Sequence, residues 1–130
     1  MIFQSCLNFG EEIDYPINSN EAKNDVESLL QINFYNKISN LHYYKNNTGI
    51  DPYACIKFET SPKLIDSIIS LKNFELDNSK YERNYTLPKW FNPESIKNPK
   101  HYSNTNVDYK TEHLIIDKSK NMVYYFYSTR

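Results

Sequence analysis

Tyr53-Ala54-Cys55-Ile56-Lys57-Phe58-Glu59-Thr60-Ser61-Pro62-Lys63-Leu64-Ile65-Asp66-Ser67-Ile68-Ile69-Ser70-Leu71 is the stretch on which the fold turns. Its first seven residues read as a strand. Ala54, Ile56 and Phe58 share one face, with Lys57 and Glu59 on the other, because side chains alternate along extended backbone. Ser61-Pro62 then starts a helix: a hydroxyl able to accept from the first unpaired amides, and a proline whose fixed φ suits the first helical position. Leu64, Ile65, Ile68, Ile69 and Leu71 make that helix intensely apolar to about Asn73, so it is expected at the centre of the core.

Upstream, Leu41 to Lys45 reads as a strand, and Asn46-Asn47-Thr48-Gly49 is turn chemistry with Gly49 able to take positive φ. Before it, Ser19 or Asn20 can cap a helix to about Gln31. Ala22, Val26, Leu29 and Leu30 form its apolar stripe; Glu21, Asp25 and Ser28 form its wet side. Ile32 to Tyr35 is a short aromatic run, strand or irregular. Residues 1–18 read as an extended arm with scattered Phe3, Leu7, Phe9, Ile13 and Ile17. Downstream, 75–110 lacks sustained periodicity and is expected as loop. It contains one helical turn from Pro93 to about Lys97, capped by Asn92. Glu112 to Asp117 and Met122 to Ser128 form a hairpin about the polar turn Asp117–Asn121. Val123, Tyr125 and Tyr127 line one face of the last strand, and Met122, Tyr124 and Phe126 line the other. That strand is therefore central and covered on both sides, or presents one face to a partner.

The 130 residues suffice for one domain with its own core, and no repeat or linker divides them. Twelve Tyr, seven Phe and one Trp, with a net charge of −1, argue against disorder despite a mean hydropathy of −0.73. The expected fold is α+β: a four- to five-stranded antiparallel sheet with the 62–73 helix across one face and the 20–31 helix beside it. A long irregular segment precedes the C-terminal hairpin.

Two glycines leave almost no material for phosphate loops or nucleophile elbows. No stretch approaches the roughly 20 apolar residues a bilayer demands. His42, His101 and His113 stand at no metal-ligand spacing, so neither metal nor cofactor is expected. A cysteine–histidine dyad with Cys55 is disfavoured, because Ala54-Cys55-Ile56 implies burial and a raised thiol pKa. Glu11-Glu12 lies on no secure element that could hold a general acid and base.

Charge is uneven. Residues 1–30 carry six acidic groups against Lys23, and the remainder fourteen basic against ten acidic. The overall balance, and the presence of only two arginines, argue against nucleic acid as a partner. The acidic segment could steer a basic protein, or simply be a solvated surface.

Tyrosine supplies large contact area with a polar tip, a composition protein-binding surfaces favour and one that also suits a thin sheet short of leucine. The functional expectation is a non-catalytic protein-binding module, most concretely a small inhibitor or immunity-type protein that occludes a partner such as a toxin. Trp90, Phe91, Tyr125 and Tyr127 are the candidate anchors; Glu11, Glu12, Asp14 and Asp25 are the candidate steering groups. The second alternative is a small hydrolase or nuclease using His42 or His113.

Ile38-Ser39-Asn40-Leu41-His42-Tyr43-Tyr44, the strand Cys55-Ile56-Lys57-Phe58-Glu59 before Ser61-Pro62, Pro88-Lys89-Trp90-Phe91-Asn92-Pro93, and Leu114-Ile115-Ile116-Asp117 with Val123-Tyr124-Tyr125 carry a resemblance. In this order the chain resembles a group of small uncharacterised bacterial proteins, several of them exported or lipid-anchored. Phe91 stands where that group has a second tryptophan, and Asn92 where it has aspartate. The resemblance implies a shared fold unit and an envelope-associated alternative, but no enzymatic residue. Gln4-Ser5-Cys6 ends like a lipoprotein processing site without the charged and apolar segments that precede one. As written the chain is expected in the cytoplasm; a start upstream of Met1 would make it an envelope lipoprotein carrying lipid on Cys6.

Overall fold

The computed structural model describes residues 12–15, 20–33, 38–47, 52–81, 85–107 and 110–129. The elements are β1 (Glu12–Tyr15), α1 (Asn20–Leu30), β2 (Ile38–Asn46), β3 (Tyr53–Thr60), α2 (Pro62–Leu71), β4 (Glu75–Leu76), β5 (Lys100–Val107), β6 (Lys110–Asp117) and β7 (Met122–Thr129). Every pairing is antiparallel, in the order β1-β2-β3-β7-β6-β5-β4. The run β1-β2-β3 and the meander β4-β5-β6-β7 are thus joined by β3 against β7 at the centre.

α2 starts as expected, whereas Asn20 is already the first residue of α1 and Ser19 lies outside the described residues. Ser61 Oγ accepts from the Leu64 amide at 3.2 Å and Pro62 opens α2. Its end is closed by Asn73 at φ 54°, with the Phe74 amide donating to the Ile69 carbonyl at 3.0 Å. In α1 the same closure falls to Gln31 at φ 57°, with the Ile32 amide on the Glu27 carbonyl.

One sheet face carries both helices. Ala22, Val26 and Leu30 of α1 and Leu64, Ile65 and Ile68 of α2 share a core with Leu41 and Tyr43 (β2), Ala54, Ile56 and Phe58 (β3), Leu114 and Ile116 (β6), and Val123 and Tyr125 (β7). The opposite face buries a second cluster. Tyr44, Tyr53, Cys55, Ile115, Tyr124 and Phe126 are covered by Leu87 and Phe91 from the irregular segment between β4 and β5. The molecule therefore has three layers: helices, sheet, and an aromatic-studded coil. Of the two readings of the last strand, a central strand covered on both sides is the one realised.

The sheet is larger than expected, with six strands of four or more residues plus the two-residue β4 among the described residues. β1 lies within the expected arm, and β5 lies where loop was expected. β5 is mostly polar: Tyr102 packs against the core, while Asn104 Nδ2 donates to the Lys72 carbonyl and His101 to a neighbouring loop. No alternation of apolar residues could have announced it. The single helical turn is shorter than expected, Pro93–Ser95, and the Asn92 side chain does not cap it; the Asn92 carbonyl accepts from Ser95 instead. Gly49 lies outside the described residues. No helix among them is long and apolar enough to cross a membrane.

Candidate binding surface

The coil layer is held down by specific bonds. Tyr53 Oη donates to the Thr86 carbonyl at 3.0 Å, and the Asp77 amide donates to the His101 carbonyl at 2.8 Å. Phe91, fully buried, stacks edge-on against Tyr124 at 5.5 Å between centroids, and Tyr85 lies 4.4 Å from Tyr53. Full burial of Phe91 roots the layer and places its ring out of a partner's reach.

Tyr125 is equally interior. Its hydroxyl donates to Glu112, itself buried and paired with Lys72 Nζ at 2.7 Å; Lys72 also donates to the Leu29 carbonyl at the end of α1. Burial, then the adjacent Glu112 carboxylate, push the Tyr125 hydroxyl well above its ordinary pKa. Phe91 and Tyr125 are corrected accordingly: both are core rings, because the sheet is covered on both faces.

The other two candidate anchors remain half-buried, on opposite faces of the sheet. Tyr127 lies on the helix face, beside Asp25 in a shallow recess of about 260 Å³ with Tyr43 and Lys45. Asp25 is engaged there, accepting from Tyr43 Oη at 3.3 Å and lying 3.7 Å from Lys45 Nζ. Trp90 projects from the coil layer, propped by Phe91 at 6.1 Å and by the His42 ring at 5.1 Å. The four rings do not form one patch. Glu12 and Asp14 fall on the edge strand β1, opposite Asn46 and Tyr44 in the register. Glu11 and Cys6 lie outside the described residues.

Two histidines that sequence spacing left apart do meet. His101 Nε2 and His113 Nδ1 are 2.9 Å apart, and His101 Nδ1 is 2.9 Å from the Ser79 carbonyl. A carbonyl only accepts, so Nδ1 of His101 carries hydrogen; in the neutral pair its Nε2 then accepts from His113 Nδ1. Tyr81 packs edge-on over both rings. Burial, then the neighbouring His101, lower the His113 pKa to about 4. Asp77, whose carboxylate accepts from the Ser79 hydroxyl and amide, is lowered to about 2. The only signal for the meeting was the strand pairing of β5 with β6, which required recognising β5.

The coil layer also bounds two recesses, which share Ile96 and Lys97. One, of about 530 Å³, is lined by Asp77, Lys80, Glu94, Lys100 and His101 among others. The other, of about 710 Å³, is lined by Lys57, Lys97, Lys118 and Lys120, with Asp117 and Tyr124. Lys57 stands 5.3 Å above the Tyr124 ring and pairs across the sheet with His42, which stacks on Trp90. Asp117 is spent on its own turn, accepting from the Ser119 amide and hydroxyl at 3.1 and 2.6 Å. Among the described residues no three His, Cys, Asp or Glu side chains converge closely enough to hold a metal ion.

Comparison with protein families, with curated proteins and with solved structures finds no match to this chain.

Proposed function

We propose that the protein is a non-catalytic protein-binding module of the inhibitor or immunity type, which neutralises a partner by occluding its site. The observation that carries this reading is Trp90: a half-buried indole fixed by Phe91 beneath and His42 beside it. A large ring that is already immobile loses little entropy on docking, which is what interface hot spots require. Tyr127 with Asp25, on the opposite face, is a smaller second contact area.

The histidine-based hydrolase or nuclease is the weaker reading. Both nitrogens of His101 and one of His113 are committed to internal bonds, and His113 is held neutral by burial. A general base needs a nitrogen aimed at substrate with a pKa near the working pH.

The test is capture of partners from the source cell at physiological salt, followed by size-exclusion analysis of the complex. A defined complex with the wild-type chain is expected. Trp90→Ala is expected to weaken it by about 2 kcal/mol or more, roughly thirtyfold in affinity. A wild-type chain that elutes alone, with no protein bound, overturns the reading.

A further inference from the structure

We propose that the recess lined by Lys57, Lys97, Lys118 and Lys120 is the docking groove for an acidic segment of the partner protein. This inference rests on the binding reading and specifies the chemistry of what is bound. Four ammonium groups surround this concavity against one carboxylate, Asp117, whose Oδ1 accepts from the Ser119 amide and hydroxyl. Lys97, Lys118 and Lys120 are exposed, and none of the three forms an ion pair among the described residues. Four like charges gathered against a single counter-charge repel one another on balance, and an incoming carboxylate run relieves that repulsion.

The lysine recess shares Ile96 and Lys97 with the neighbouring one, in which Asp77 and Glu94 offset Lys80 and Lys100, so the surplus of positive charge is local to the lysine recess and suits a short acidic segment. The floor is rigid: Lys57 lies over Tyr124, and the Thr60 amide donates to the Asn121 carbonyl at 3.0 Å, tying the β6–β7 turn to β3. A peptide is favoured over nucleic acid by three features. The recess is lined by lysines, not by the planar arginine forks suited to phosphate. Tyr124, the aromatic ring lining it, is buried and offers no stacking platform. The net charge of −1 supplies no long-range attraction for a long polyanion, whereas a short acidic segment needs only the local lysine surplus.

The experiment measures fluorescence anisotropy of a labelled short polyglutamate peptide at low ionic strength, against the full chain and the triple variant Lys97→Gln/Lys118→Gln/Lys120→Gln. These side chains are exposed, so the variant is expected to fold, and far-UV circular dichroism checks that it does. The wild-type chain is expected to bind the peptide, and the triple variant to bind it about tenfold more weakly or worse. Added salt should erode the wild-type signal. Equal binding by the two chains overturns the proposal. So does tighter, lysine-dependent binding of a short oligothymidylate, which would assign the groove to nucleic acid. The partner complex is assayed on the same variant. A complex formed undiminished by the triple variant overturns the groove assignment and leaves the binding reading standing. Absence of any complex with the wild-type chain overturns the binding reading itself.

Discussion

Gln31, Asn40, Asn73 and Asn121 all take positive φ, between 52° and 57°. A chain with two glycines and seventeen asparagines solves its left-handed positions with the side chain that best tolerates them. Gln31 is the exception, since a long side chain gains nothing from αL. Gln31→Gly is therefore expected to stabilise the fold by about 1 kcal/mol, read as a higher urea midpoint with unchanged slope. The histidine pair makes the opposite kind of prediction. Folded His113 titrates at about 4, below its ordinary 6.5. Its stabilisation is complete above 6.5 and drains away as pH falls toward 4, because the unfolded chain takes up the proton first. Discounted for partial exposure, the loss is about 2 kcal/mol. Thermal melts at pH 7 and pH 4.5 (values chosen to bracket that window) should show a drop for the wild type that is much smaller for His113→Gln.

At the scale of elements, α2 and the C-terminal hairpin were plain in the sequence because each announced itself by local chemistry. Ser61-Pro62 is a start signal followed by apolar residues at helical period, and Asp117–Asn121 is a turn flanked by apolar strands. β5 and the coil layer were opaque for one shared reason. Lys100–Val107 pairs within the sheet but sets Tyr102 between the polar-bonded His101 and Asn104, and the coil uses aromatic plugs without period. Neither leaves a pattern that a single sequence reveals. The candidate surface suffered from the same gap. Without β5 the histidine pair could not be seen, and without the coil layer Phe91 looked available when it is the layer's root. Phe91→Ala should cost about 3–5 kcal/mol in urea unfolding, the range for emptying a buried aromatic site. The polar counterpart is the Lys72–Glu112 pair, which binds the end of α1, the end of α2, β6 and β7 into one knot. Lys72→Ala leaves buried Glu112 with Tyr125 and the more distant Lys110 (3.8 Å) and should cost about 3 kcal/mol, with Glu112→Ala comparably severe.

For the molecule as a whole, the decisive contact is β3 against β7, where Tyr53 pairs with Ser128 and Glu59 with Met122. Those partners are distant in sequence, so the sheet is incomplete until the middle of the chain meets its last strand. Such non-local pairing implies slow folding but also strong cooperativity. Both clusters draw on the same strands: β3 contributes Ile56 and Phe58 to one and Tyr53 and Cys55 to the other, so loosening either face loosens both. The single tryptophan, Trp90, sits in the coil layer, while far-UV circular dichroism reports the helices and sheet on which that layer rests. Coil and scaffold should therefore lose structure together, with Trp90 fluorescence and circular dichroism giving coincident urea transitions. Phe91→Ala should lower both midpoints together, because the site it empties lies against strands that also carry the helix face. If the wild type itself shows an earlier fluorescence transition, the coil layer is an independent unit that opens on its own. Trp90 would then lose the rigidity that qualifies it as an anchor, since a ring that must first be ordered gives up binding energy to do so.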